Sequence, residues 1–137
     1  MIDDIYNKDV LRLAATITRI GNLANPDASV SLRSPLCGST IEVELKLADG
    51  KVADYAHTIK ACALGQASAS VMAKVVVGKT ADDIRTARDQ VETMLVEEGD
   101  PPAGDWSPLS ALAPAKDAKP RHGAILLPFD AVLKGMA

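Results

Sequence analysis

Aromatic side chains are almost missing from this sequence: one Trp, one Phe and two Tyr make up 3% of 137 residues. A core of stacked rings is excluded, so the interior must be assembled from Val, Leu, Ile, Ala and Met. No apolar run is long enough to span a bilayer, and the longest, near Val71–Val77, is broken by Lys74. Basic clusters are absent and the net charge is −3, which leaves no electrostatic footprint for nucleic acid. Cysteine is scarce too. Cys37 and Cys62 are the only two, and neither belongs to a CxxC pair, so a zinc knuckle is excluded. The N-terminus, Met1-Ile2-Asp3-Asp4, carries acid where a secretory signal carries base. We therefore expect a cytoplasmic protein whose thiols serve chemistry rather than a disulfide framework.

What is present suits one compact domain over residues 1–137, with 47% apolar and 24% charged residues. Ile5, Val10, Leu13, Ala14 and Ile17 recur at helical spacing, predicting a helix over 4–20 that stops at Gly21-Asn22. Asn25-Pro26-Asp27 reads as a turn. In 28–34, Val30 and Leu32 alternate with serines, as in a short strand. Ser34-Pro35-Leu36-Cys37-Gly38-Ser39 breaks that strand into a loop. From Thr40, apolar Ile41, Val43, Leu45 and Leu47 alternate with Glu42, Glu44 and Lys46, so one face is dry and the other wet. Asp49-Gly50 is a strong hairpin signal. The returning strand, 51–59, alternates less cleanly, consistent with a bulge. Together these predict an α+β fold: a three-stranded antiparallel meander with helices on one face.

Beyond the meander, 63–77 is a run of small and apolar residues read as a close-packing helix that ends at Gly78. Thr80 caps the next helix, with Asp82 and Asp83 in its first turn. Its inward face is Ile84, Ala87, Val91, Met94 and Leu95, and Gly99 is expected to close it. Residues 100–120 are proline-rich and include Gly104, which predicts a long excursion with no element of its own. A final helix is expected over 129–136.

Three residues invite chemistry. Cys37 sits in a turn held open by Pro35 and Gly38. Cys62 sits at a predicted helix start, where unpaired N–H groups and the helix dipole favour an anion. A meander can bring both to one end of its sheet, where two thiolates suit a soft metal or sulfur. The plainer alternative is that both are small buried hydrophobes. His122, at the re-entry from the proline-rich stretch, is either a metal ligand or an exposed loop histidine. His57 reads as a sheet-face residue, and Ser68 and Ser70 as close-packing residues rather than nucleophiles.

Ser34-Pro35-Leu36-Cys37-Gly38-Ser39 resembles the Asn-Pro-x-Cys-Gly-Asp loop of NifU/IscU-type iron–sulfur cluster scaffolds. Ala61-Cys62-Ala63-Leu64-Gly65-Gln66-Ala67-Ser68-Ala69-Ser70 resembles that family's Gly-Cys-Ala-x-x-x-Ala-Ser-Ala-Ser helix start, and Gly78-Lys79-Thr80 falls where the family has Gly-Lys-Thr/Ser. Order, spacing and the intervening hairpin agree over about residues 28–97. The insertion near 100–120 makes the chain similar to the SufU branch. The resemblance implies a site of three cysteines and an aspartate that holds a nascent iron–sulfur cluster, or zinc. It also implies a cysteine desulfurase that supplies sulfur as persulfide, and acceptor proteins that take the product.

Carried over, Cys37 and Cys62 match two of the cysteines, and His122 matches the histidine of His-Cys-Ser-Ile-Leu. Two departures stand out. Ser39 replaces the aspartate, and the third cysteine is replaced by Gly123 or, in the other register, Ala124. Nor does the chain carry the family's Leu-Pro-Pro-Val-Lys segment, read by a dedicated chaperone; Pro120-Arg121 stands in its place. The expected ligand set is therefore Cys37, Cys62 and His122, with Ser39 and Arg121 as auxiliaries. Three functions follow: a metal or cluster scaffold, a zinc-dependent persulfide acceptor, or a metal-free adapter of the same shape.

Overall fold

The computed structural model describes residues 5–137; Asp4, the first residue of the expected opening helix, lies outside them. The order of elements is α1 (Lys8–Ala15), β1 (Ala28–Arg33), β2 (Thr40–Ala48), β3 (Lys51–Lys60), α2 (Ala63–Val75), α3 (Ala81–Glu97), a 3₁₀ segment (Gly104–Asp117) and α4 (His122–Met136). The expected α+β architecture is present: β1, β2 and β3 form one antiparallel sheet in that order. Ile41, Val43 and Leu45 turn one face of β2 into the core, all buried, where α4 packs on β1 and β2 and α2 packs on β3. Asp49 and Gly50 both take positive φ, 55° and 75°, the turn whose twist matches that of the strands it joins. The bulge lies just beyond it. Lys46 pairs with Asp54 and Leu47 with Val52, which leaves Ala53 as the extra residue.

Thr80 caps α3 through a reciprocal box with Asp83. Ile84, Ala87, Val91, Met94 and Leu95 are all buried, as their spacing predicted. The helix ends one residue early, because Glu98 takes the left-handed conformation at φ 54°; Gly99 follows and bonds its N–H to the Thr93 carbonyl at 3.1 Å.

Three expectations are corrected. First, α1 stops at Ala15, with Asn7 as its N-cap. Thr16, Ile17 and Thr18 are β-branched and favour extended backbone. The chain runs on to pair Ile20 with His57 along the edge of β3. Second, 100–120 is not an elementless excursion. Gly104–Asp117 winds as a 3₁₀ helix that buries Trp106, Leu109, Leu112 and Ala115, and the Trp106 ring lies 5.5 Å from that of Phe129. Proline fits this segment because it lacks the N–H that a long α-helix needs at every interior position. Third, α4 begins at His122, and Pro128 lies inside it. Pro128 is buried, and the tertiary packing outweighs the helix bond that proline cannot make.

Candidate functional site

The sheet register sets where the two thiols lie. Arg33 at the end of β1 pairs with Thr40 at the start of β2, and Thr40 pairs with Lys60, the last residue of β3. The loop 34–39 and residues 61–62 therefore leave the sheet at the same end. Cys37 and Cys62, far apart in sequence, share that end.

The Cys37 loop is closed on itself. Ser34 donates its N–H to the Ser39 carbonyl at 2.8 Å, and Gly38 donates to the Ser34 carbonyl at 2.9 Å. Gly38 permits this with φ 72°. Ser34 and Ser39 are buried while Cys37 between them is exposed. The Cys37 Sγ lies 3.3 Å from Ser34 Oγ and 3.2 Å from Ser39 Oγ. Partial burial raises the thiol pKa, but hydrogen bonds from the Ser34 and Ser39 hydroxyls and from backbone outweigh it, so the net shift is downward from the ordinary thiol value. This thiol is available for nucleophilic or ligand chemistry.

Cys62 is the N-cap of α2, with extended backbone and no capping bond from its side chain. The sulfur is half-buried beside the first free N–H groups of the helix, the position the sequence predicted. Gly65, one turn on, lets another helix approach: a Cβ there would sit 2.7 Å from Ala61 Cβ and 3.2 Å from Ala124 Cβ. The start of α4 is thus wedged against the start of α2.

The same start of α4 abuts the Cys37 loop. A Cβ on Gly123 would fall 2.5 Å from Ser34 Oγ, whereas Ala124 is fully buried. Of the two positions matched to the family's third cysteine, Gly123 faces the loop and Ala124 faces Gly65. The beginnings of α2 and α4 and the β1–β2 loop converge at one end of the molecule.

His122 is the first residue of α4, and its Nε2 bonds to the Ala115 carbonyl at 2.9 Å. A carbonyl only accepts, so that nitrogen carries the proton. The imidazole is committed to holding the 3₁₀ segment against α4. Among the described residues, no three His, Cys, Asp or Glu side chains are gathered into a group that could hold a metal ion. The two cysteines share an end of the sheet, and the histidine's Nε2 is turned onto backbone. Arg121 donates to the Tyr6 hydroxyl, with its guanidinium 5.3 Å from the Tyr6 ring centre. It ties the start of α4 to the chain preceding α1.

Sequence reasoning missed Ser34 as a partner of the cysteine. Its signal was available, since it stands at the family loop's asparagine, but only the fold reveals that its hydroxyl takes the space beside Gly123. His57 is a buried sheet-face residue as expected. It is also a clamp: Nε2 donates to the Thr18 carbonyl at 2.8 Å, which leaves Nδ1 to accept from the Tyr55 hydroxyl at 3.5 Å.

The model of the NifU-like N-terminal domain matches residues 5–113. The iron–sulfur cluster assembly scaffold protein IscU of Streptococcus pyogenes serotype M1 is 29% identical over 73 residues, which cover 53% of this chain and 46% of that relative. The match therefore spans just under half of the relative's length. The crystal structure of the N-terminal part of a nitrogen-fixing NifU-like protein from Brucella abortus superposes with a TM-score of 0.95 at 52% identity, covering 98% of this chain and 94% of the other. A candidate scaffold protein for the SUF system of Fervidobacterium islandicum AW-1 shares the fold, with a TM-score of 0.86 at 19% identity and 98% of each chain covered. With two thiols at one end of the sheet and the family model matched across most of its length, the chain belongs to the NifU-like N-terminal domain family of iron–sulfur cluster assembly scaffolds.

Proposed function

We propose that this protein binds a soft metal ion or a nascent iron–sulfur cluster through Cys37 and Cys62 and passes it to acceptor proteins. In this reading a cysteine desulfurase supplies the sulfur and the work is done in the cytoplasm, where thiols stay reduced. The observation that carries it is the convergence of the β1–β2 loop and the α2 N-terminus at one end of the sheet, each with a cysteine. Free cysteines kept only as small hydrophobes would be buried; Cys37 is exposed, and Cys62 is half-buried.

His122 is the third ligand in this proposal, reached when its ring leaves the Ala115 carbonyl. Cys37, Cys62 and His122 would then supply three positions of a tetrahedral zinc shell with one left open. An iron–sulfur cluster held by two thiolates of this chain would need further donors, because such clusters are normally held by four. Ser39, hydrogen-bonded to Cys37, orients that sulfur. Arg121, stacked on Tyr6, holds the helix that carries His122.

A second reading is favoured by one observation, the exposed Cys37 thiol with its lowered pKa. Here the Cys37 thiolate attacks the outer sulfur of a desulfurase persulfide. A new S–S bond forms at Cys37, the donor's S–S bond breaks, and the donor cysteine leaves as thiolate.

The test is anaerobic purification followed by assay of iron, acid-labile sulfide and zinc in the wild type, Cys37→Ser and Cys62→Ser. Metal bound by the wild type and lost from either variant is the expected result. Metal absent from all three would leave only an adapter of the family's shape. Persulfide found on Cys37 or Cys62 after incubation of the zinc-bound protein with a desulfurase and cysteine would favour the second reading.

A further inference from the structure

The outer face of the sheet, opposite the helices, is only partly covered. Residues 20–27 cross it near Glu44, where the Leu23 N–H bonds to Glu44 Oε1 at 2.6 Å. Gly21 and Asn22 share a hollow there with Ser29, Ser31, Glu42 and Glu44. Toward the cysteine end the face is open. A cavity of about 390 Å³ remains, with Ser31, Arg33, Thr40, Glu42, Thr58 and Lys60 among its lining residues. These six residues form two cross-strand rows, Arg33–Thr40–Lys60 at the sheet's end and Ser31–Glu42–Thr58 behind it.

The end row carries two cations, and neither Arg33 nor Lys60 makes an ion pair among the described residues. On a chain of net charge −3, two unneutralised cations in one concave row are an anion site. Each lies beside a cysteine. The Arg33 guanidinium is 3.7 Å from where a Cβ on Gly38 would sit, next to Cys37. Lys60 precedes Cys62 by the single residue Ala61.

The same end lacks a third sulfur donor among the described residues. Ser34 Oγ fills the space beside Gly123, Ser39 offers a hydroxyl already bonded to Cys37, and the His122 Nε2 is on backbone. Even with His122 recruited, a position of the shell around Cys37 and Cys62 is left for a donor from outside the chain. We propose that Arg33 and Lys60 bind a carboxylate-bearing thiol, whose sulfur enters the coordination shell that Cys37 and Cys62 leave open. This rests on the scaffold reading above. One strand, β2, separates the cations, so two strand spacings put roughly 10 Å between their backbones, which suits a ligand with two carboxylates. Glu42, one row behind, gives an ammonium group on such a ligand its counter-charge. A zwitterionic peptide thiol has all three features.

The carboxylate site can be tested on the metal-free chain. S-methylglutathione keeps both carboxylates but its sulfur is blocked, so it reads the cation pair alone. Titrated into the full-length protein, it should shift the amide resonances of Arg33, Thr40 and Lys60. Arg33→Gln and Lys60→Gln should each weaken binding about tenfold, with unchanged circular dichroism. No shift at these amides, or equal affinity in the double variant, would overturn the proposal. Reconstitution with iron and sulfide then reads the sulfur donor. With glutathione the wild type should retain iron several-fold longer than with β-mercaptoethanol, and the double glutamine variant should lose that advantage. Equal retention with the two thiols overturns the proposal and leaves the scaffold reading standing. Iron retained as long with no thiol at all overturns the proposed sulfur role and leaves the scaffold reading standing. No iron retained under any condition sinks the scaffold reading and that sulfur role together, while the titration still decides whether Arg33 and Lys60 bind carboxylate.

Discussion

Ser34 and Gly123 are locked together: the serine hydroxyl lies 2.5 Å from the point where any side chain at 123 would begin. One of the two positions that the resemblance matches to a third cysteine is therefore closed to a side chain as long as Ser34 keeps its rotamer. In the Gly123 register, the missing thiol and the Ser34 hydroxyl compete for one space.

It follows that Gly123→Cys alone should destabilise the fold by about 1–3 kcal/mol, the usual cost of overpacking a well-filled site. Adding Ser34→Ala should recover most of that loss. The double variant should also hold zinc more tightly than the wild type, since a third thiol then faces the Cys37 loop. Urea unfolding and competition with a chromogenic chelator give the two readouts. Equal stability of Gly123→Cys and wild type would contradict the packing argument.

Two serines on α2 should respond in opposite ways. Ser68 Oγ donates to the Ile125 carbonyl at 2.6 Å and joins α2 to α4. Ser70 Oγ is buried and has no hydrogen-bond partner among the described residues. Ser68→Ala should cost about 1 kcal/mol, whereas Ser70→Ala should be neutral or stabilising, because it removes a desolvated hydroxyl that receives nothing in return. Thermal unfolding of the two single variants distinguishes them.

The 3₁₀ segment should behave as core. Leu112 is fully buried, so Leu112→Ala should cost about 2–5 kcal/mol, close to the effect of a core substitution in β2 such as Leu45→Ala. A change below 0.5 kcal/mol, or rapid proteolysis within 104–117 of the folded wild type, would show that the segment does not contribute to stability.

Acid should loosen the strap along β3. Desolvation lowers the His57 pKa, only partly countered by its bond to the Thr18 carbonyl. The native state thus holds the ring neutral while the unfolded chain protonates it near the ordinary histidine value of about 6.5. Between that value and the lower native one the unfolded state binds more protons, so stability rises with pH. His57 therefore contributes its full share above about pH 6.5 and loses it as pH falls through that value. His57→Gln should flatten the fall in urea midpoint between pH 7.5 and pH 5. An unchanged slope in the variant would assign the acid sensitivity elsewhere.

The meander was legible because Ile41, Val43 and Leu45 alternate with charge and Asp49-Gly50 punctuates the hairpin. The α3 cap and buried face were legible for the same reason: period and capping chemistry are local properties of the chain. The family emerged from the two cysteine loops and their spacing. The 104–117 segment was misread because prolines signal a break in an α-helix, and nothing local announces that Trp106, Leu109 and Leu112 will meet Phe129 and the helices of the core. Pro128 misled in the same way at the start of α4.

The sequence by itself determined the α+β layering, the two thiols and the want of a third, since each is written in residue type and period. Only the tertiary structure decided that the β1–β2 loop, the α2 start and the α4 start share one end, that Ser34 fills the space beside Gly123, and that His122 is held by Ala115. Those relations join residues distant along the chain. They depend on sheet register and helix approach, which are set by the global burial of apolar surface rather than by any local pattern.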